Sequence, residues 1–212
     1  PMLRGDLILT PTGLWHEHGH DGKEPVIWLD VLDLPLVYYM ETSYHINGGR
    51  QEVRPGHAER SYARGGLLPT PVFERNNHAY PMLRYPWADA RAALTSLADN
   101  QPEDQAVQIT YANPETGAHA ENILGFYALM LRPGQTLALP TRSPAMVFHV
   151  IEGGAKVQVQ EQNFLLAEAD TCCAPGYTPV TLSNASATEP AFIFIADETP
   201  LHQKLGVYET RP

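Results

Sequence analysis

The 212-residue sequence has few cysteines, few basic residues and no long apolar run. Its two cysteines, Cys172 and Cys173, are adjacent, which is a poor basis for a structural disulfide, so a reduced, cytoplasmic setting is expected. No apolar run approaches the roughly 20 residues that span a bilayer, so a membrane partner is not expected. The formal net charge of -10 disfavours nucleic acid and anionic membrane surfaces as partners.

The distribution of prolines and glycines predicts many short strands. It contains 19 prolines and 16 glycines between short apolar runs, which is typical of a β-rich protein with many turns. Gly153-Gly154 predicts a β-hairpin. Helices are predicted over 85–100, opened by Pro86, and over 199–206. Residues 49–85 are expected to form a long connection over the surface. The predicted strands are 6–10, 25–31, 123–131, 146–152, 155–160, 163–167 and 191–196.

An internal repeat is the most informative feature of the sequence. Asp6 and Pro11 match residues 164 positions later, Asp170 and Pro175. After one inserted residue the spacing becomes 165, and the further matches are Pro25 with Pro190, Pro35 with Pro200, and Leu36 with Leu201. The sequence therefore predicts two copies of one β-module, joined by roughly 37–117.

Three histidines in "WHEHGH" distinguish the first copy from the second. His16, His18 and His20 occupy alternate positions, so on a strand they would share one face. In the repeat they align with Val180, Leu182 and Asn184. The strands of the module can therefore form without imidazole side chains at these positions. This contrast favours a function for the first copy, such as metal binding. The alternative is a polar, exposed strand end.

The two copies differ in what precedes them. The second begins near Asn122, 48 residues before Asp170, whereas five residues precede Asp6. We therefore expect the sequence, which starts at Pro1, to be a fragment of a longer chain. The alternative is a truncated first module that another chain completes. Because a half-module would expose unpaired edges and apolar surface, residues 1–212 alone are expected to be poorly stable.

Residues 5–16, "GDLILTPTGLWH", resemble the second cupin motif through Gly5, Pro11, Gly13 and His16. The continuation "WHEHGH…PVIWLDVLDLPLV", with "MLRYPWADARAAL", "YANPETG" and "VFHVIEG", resembles the gentisate 1,2-dioxygenase family nearly end to end. The resemblance implies an all-β bicupin fold of two double-stranded β-helix (jelly-roll) barrels, the first incomplete. The implied domains are 1–40, the end of the first barrel; 41–117, a connector with one helix; and 118–212, a second, metal-free barrel.

The resemblance also implies an activity. The family uses Fe(II) and O2 to open the aromatic ring of gentisate (2,5-dihydroxybenzoate), giving maleylpyruvate. Salicylate and 1-hydroxy-2-naphthoate are alternative substrates within the family. A homotetramer is implied as well. A different interpretation is a metal-poor bicupin remnant that only binds or assembles.

The site residues follow from the same resemblance. His16 matches an iron ligand, and the other two ligands, an H-x-H pair, are expected upstream of Pro1. His18 matches a substrate-binding histidine placed for proton transfer, and Asp30 matches an acidic residue of the substrate pocket. His20 receives no role. In the second copy Pro140 and Arg142 occupy the H-x-H positions, and His149 is expected to pack or hydrogen-bond inside the barrel. Trp15, Trp28 and Trp87 are expected to be core or interface anchors.

Overall fold

The computed structural model describes residues 2–49 and 81–211. Most of the connection predicted over 49–85 lies outside these residues. Within the described ranges, no helix is both long and apolar enough to cross a membrane.

Short elements precede the second barrel. Strand β1 (Leu7–Ile8) pairs antiparallel with β2 (Arg84–Tyr85), and helix α1 (Leu34–Tyr39) lies between them in the sequence. Helix α2 (Trp87–Asn100) follows. The predicted helix over 85–100 is thus confirmed, with Pro86 at its N-cap. Its inward face consists of Trp87, Ala90 and Leu94, which are buried.

The second barrel is built from two antiparallel sheets. The remaining elements are β3 (Val107–Thr110), β4 (Gly125–Leu131), β5 (Thr136–Leu139), β6 (Thr141–Arg142), β7 (Met146–Glu152), β8 (Ala155–Val159), β9 (Gln162–Leu166), β10 (Thr171–Ala174), β11 (Val180–Ser183), β12 (Ala191–Asp197), α3 (Thr199–Lys204) and β13 (Thr210–Arg211). One sheet has the order β10-β7-β12-β4-β3 and the other has the order β5-β11-β8-β9. The strands predicted over 123–131, 146–152, 155–160, 163–167 and 191–196 are confirmed.

Alternation along these strands creates the barrel core. Phe148 on β7, Val157 on β8, Leu182 on β11 and Ile193 on β12 are all fully buried in one cluster between the sheets. The opposite face of the five-stranded sheet packs in a second cluster that includes helix α2. Burial of both faces explains why β4 and β12 read as nearly continuous apolar runs.

The hairpin predicted at Gly153-Gly154 is wrong. Strands β7 and β8 belong to different sheets, so the two glycines carry the chain from one sheet to the other rather than joining paired strands. The backbone still explains why glycine occupies position 153. Gly153 has a φ of 81°, a conformation that residues with a side chain disfavour. A Cβ on Gly153 would also lie 3.0 Å from the carbonyl oxygen of Pro190.

We expect Gly153→Ala to lower the free energy of unfolding by about 1–3 kcal/mol, because it adds a tight contact to an unfavourable backbone conformation. Gly134→Ala is the matched control, since Gly134 has a φ of 68° but open space around its Cβ position. Chemical denaturation of both variants measures the difference. A larger loss in Gly134→Ala than in Gly153→Ala would contradict this account of the sheet crossing.

Backbone geometry confirms the internal repeat. The side chains of Asp6 and Asp170 each accept a hydrogen bond from the backbone N–H three residues earlier, at 2.9 and 2.8 Å. Gly5 and Ala169, which match in the repeat, have φ values of 80° and 71°. Helix α1, which is not among the predicted elements, matches the predicted helix α3 residue for residue at the spacing of 165.

The strand predicted over 25–31 is wrong. In the repeat it matches β12, whose backbone pairs with β4 on one side and β7 on the other. No described strand pairs with 25–31 in this way, and a strand needs a partner for its backbone groups. The side chains of 25–30 are consequently exposed, with Ile27 94% accessible. The strand predicted over 6–10 forms only at Leu7–Ile8.

Candidate functional site

The histidine segment is irregular rather than a strand, yet it brings two of the three imidazoles together. The ring centroids of His16 and His18 lie 5.8 Å apart at an interplanar angle of 78°. The ring of His18 stacks on Trp28, with centroids 5.0 Å apart and an angle of 18°. Asp30 is exposed, as are the three histidines.

The hydrogen bond of His16 leaves one ring nitrogen for a ligand. Its Nδ1 lies 3.3 Å from the carbonyl oxygen of Leu14. A carbonyl can only accept, so Nδ1 carries the proton and the Nε2 lone pair is available. Histidines that bind metals commonly donate their other N–H to such a group. His16 therefore has the tautomer that a metal ligand requires.

His20 has a different partner. Its Nε2 donates to the carbonyl oxygen of Glu24 at 2.7 Å. Asn184, its match in the repeat, donates to the carbonyl oxygen of Glu189 at 2.9 Å, and Glu24 and Glu189 directly precede the matching prolines, Pro25 and Pro190. His20 thus closes the same loop that an asparagine closes in the second copy, which explains its place in the "WHEHGH" pattern without a metal.

The repeat shows which way the site residues face in a complete barrel. His16, His18 and Asp30 match Val180, Leu182 and Ile195, all buried in the core between the two sheets. Within residues 2–49 and 81–211, however, no three His, Cys, Asp or Glu side chains lie close enough to hold a metal ion. The described residues alone therefore do not form a three-ligand metal site.

The corresponding place in the second barrel contains an ion pair. Arg142, at an H-x-H position, has its guanidinium 3.2 Å from a carboxylate oxygen of Asp197, whose side chain is fully buried. Tyr127 donates to the other oxygen of that carboxylate at 3.3 Å. Burial raises the pKa of Tyr127 to about 12, so the phenol stays protonated. A fixed guanidinium charge at this position disfavours a metal cation.

His149 lies on the outer face of its strand, so the expectation that it faces the barrel interior is wrong. On β7 the inward positions are Phe148 and Val150, and His149 alternates with them. Its Nδ1 hydrogen-bonds the hydroxyl of Thr171 at 2.8 Å. Burial, followed by the charge of Arg4, lowers the pKa of its imidazole, which is consistent with a structural role.

The tryptophans occupy different environments. Trp87 is buried against the second barrel, and its indole N–H donates to Glu152 at 2.6 Å, as expected of a core anchor. Trp15 and Trp28 are 58% and 47% accessible. The stacking of Trp28 on His18 was not anticipated from sequence patterns, although the repeat contains a signal for it: Trp28 matches Ile193, an inward position.

Comparison with known proteins gives a consistent result. No protein-family model matches the chain. The chain is 71% identical over 211 residues to a gentisate 1,2-dioxygenase from Ralstonia sp, covering 100% of this chain and 59% of that protein. It is 32% identical to gentisate 1,2 dioxygenase 1 from Aquipseudomonas alcaligenes, covering 98% and 60%.

A solved structure shows the same architecture. It is a variant of salicylate 1,2-dioxygenase from Pseudoaminobacter salicylatoxidans in complex with gentisate, with a TM-score of 0.88 and 28% identity. The match covers 99% of this chain and 60% of that one, so the chain spans about three-fifths of the length of these relatives. Together with the cupin motif and the confirmed repeat, these similarities relate the chain, over its whole length, to part of the gentisate and salicylate 1,2-dioxygenases.

Proposed function

We propose that the protein to which this chain belongs is an Fe(II)-dependent dioxygenase that converts gentisate and O2 to maleylpyruvate. The observation that carries the proposal is the 71% identity, over the whole chain, to a protein named gentisate 1,2-dioxygenase. A structural relative holds gentisate itself. The ring opens between the carbons that carry the carboxylate and the adjacent hydroxyl, and one O2 is consumed per gentisate.

In this proposal His16 holds the metal through Nε2. A neutral imidazole suits Fe(II), and the bond from Nδ1 to Leu14 fixes the ring in the required tautomer. The two remaining ligands come from residues outside the described ranges. When bound, Fe(II) supplies a Lewis-acidic, redox-active centre with open positions for an aromatic acid and O2.

His18 and Asp30 act on the substrate. The imidazole of His18 lies beside that of His16, so it can accept a proton or a hydrogen bond from a substrate hydroxyl close to the metal. Asp30 matches Ile195, which is buried in the second barrel, so the repeat assigns Asp30 to the interior side of a complete first barrel. Its carboxylate can bond the distal hydroxyl or orient a pocket histidine.

The domain and assembly assignments remain part of the proposal. Residues 1–40 end the first barrel, 41–117 form the connector and 118–212 form the metal-free second barrel. The connector contributes β3 to the five-stranded sheet of that barrel. A homotetramer is proposed from the family. A cytoplasmic location fits the free thiols of Cys172 and Cys173.

A substrate panel tests the proposed specificity. For the protein expressed from its complete gene and loaded with Fe(II), we expect kcat/KM for gentisate to exceed that for salicylate and for 1-hydroxy-2-naphthoate. Absorbance of the ring-opened product provides the rate. A preference for either alternative acid would reassign the substrate within the family, and no turnover of any of the three would favour the non-catalytic bicupin.

A further inference from the structure

We propose that Trp28 is a positioning residue that holds the imidazole of His18 in the plane needed to contact the substrate. This inference rests on the proposed function. Its first support is direct contact, because the two rings stack with centroids 5.0 Å apart and planes 18° from parallel. The contact of His18 with His16 is T-shaped, whereas Trp28 lies nearly parallel to the His18 ring and covers one of its faces.

The repeat supplies independent support. Trp28 matches Ile193 at the spacing of 165, and His18 matches Leu182 at the spacing of 164. Ile193 and Leu182 are both fully buried in one core cluster, although they lie on different sheets. The same module therefore places the positions of Trp28 and His18 on different sheets, both directed into one barrel interior.

Neighbouring apolar residues do not share this placement. Ile27 and Leu29 match Phe192 and Phe194, which pack on the other face of the five-stranded sheet, towards α2. Because side chains alternate along β12, the repeat assigns Trp28 and Asp30 to the inward side and Ile27 and Leu29 to the outward side. Trp28 is therefore the large aromatic residue of this segment that the repeat assigns to the same interior as His16 and His18.

Stacking affects the orientation of His18. A ring stacked on one parallel ring loses that contact when it rotates about χ2, so the stack keeps the nitrogen that meets the substrate hydroxyl in one direction. Loss of this restraint misplaces a group whose contribution depends on alignment in the transition state. We therefore expect a loss in kcat with little change in substrate affinity.

The test compares Trp28→Leu, Trp28→Phe and a control, Trp15→Leu, in the Fe(II)-loaded protein expressed from its complete gene. Trp15 matches Pro179, which is exposed, so its replacement leaves the interior unchanged. The readouts are kcat and KM for gentisate, iron per chain, and the gentisate dissociation constant measured without O2. Trp28→Leu is expected to lose at least about 10-fold in kcat, while iron content and the dissociation constant change less than about 2-fold. Trp28→Phe, which keeps a stacking ring, is expected to recover most of the rate.

Four results would overturn the inference alone while the wild-type protein turns over gentisate. Two concern the rate of the Trp28 variants: an unchanged kcat in Trp28→Leu, or an equal loss in Trp28→Phe and Trp28→Leu. The others are a loss of iron in both Trp28 variants and an equal loss of kcat in Trp15→Leu. Absence of turnover by the wild-type protein would instead overturn the proposed function and this inference with it.

Discussion

His16→Ala is expected to abolish gentisate-dependent O2 uptake and to remove most of the iron from the protein expressed from its complete gene. A metal centre contributes several kcal/mol to such a reaction, so the rate should fall by at least about 1000-fold. The loss is expected because alanine removes Nε2 of His16, the nitrogen that would bind the metal. The hydrogen bond from Nδ1 to the carbonyl oxygen of Leu14 keeps the lone pair of Nε2 available in the wild-type protein. Oxygen-electrode rates and elemental analysis on the same sample measure both effects.

The matched control for this prediction is His20→Asn. His20 lies four residues from His16, yet its ring closes a loop through Glu24, and asparagine makes the equivalent bond in the second copy at Asn184. His20→Asn should therefore keep its iron and its rate within about 2-fold. The assignment of His16 fails if His16→Ala keeps both, or if the two variants lose iron to the same degree.

Asp6→Ala is expected to lower the free energy of unfolding by about 3–5 kcal/mol, because it removes one partner of a buried ion pair. The Asp6 side chain is 3% accessible, and its carboxylate lies 2.6 Å from Nε of Arg84. The other oxygen accepts the backbone N–H of Trp87 at 2.9 Å and so caps helix α2, whose own N-cap, Pro86, makes no side-chain bond. In a domain of this size, the loss corresponds to a fall in Tm of about 10 °C.

Comparison with Asp170→Ala separates the contribution of the turn from the contributions of the ion pair and the helix cap. Asp170 makes the same local turn as Asp6 but is exposed. Its replacement should cost about 1 kcal/mol or less. Thermal unfolding followed by circular dichroism compares the two variants. Equal losses would show that Asp6 contributes only the turn, and that the first module is not held to the connector through its carboxylate.

The repeat explains how much of the fold could be predicted. Matching prolines and Asp6 with Asp170 predicts two modules, and the structure confirms this down to positive φ values at Gly13 and Tyr177, 164 positions apart. Helix α1 could have been predicted in the same way from α3. Local patterns identified the long strands because these combine apolar runs with adjacent turn residues.

Features that depend on distant partners could not be predicted from local patterns. The strand expected over 25–31 has the apolar pattern of β12 but none of its pairing. Gly153 identifies a turn, yet the sheet that each flanking strand joins is decided by long-range packing. The cap that Asp6 provides to α2 spans 81 positions, so no window along the chain contains both groups.

Some features of the candidate site could be predicted from the sequence, and others depend on contacts that the sequence pattern does not show. The "WHEHGH" spacing and the repeat single out His16 and His18, and the structure places their rings side by side. The roles of His20 and Trp28 depend on contacts with Glu24 and His18 that the histidine pattern does not contain. Aligning the two modules residue by residue provides the missing signal, because positions that face the interior of the second barrel identify those that face the first.

We propose that this chain contributes His16, His18 and Asp30 to an iron site that opens gentisate. The most direct test measures gentisate-dependent O2 uptake by the protein expressed from its complete gene, after a chelator has removed its metal and again after Fe(II) is restored. We predict no uptake without metal and one O2 per gentisate once Fe(II) is bound. No uptake after reloading, or equal uptake without metal, would contradict the claim.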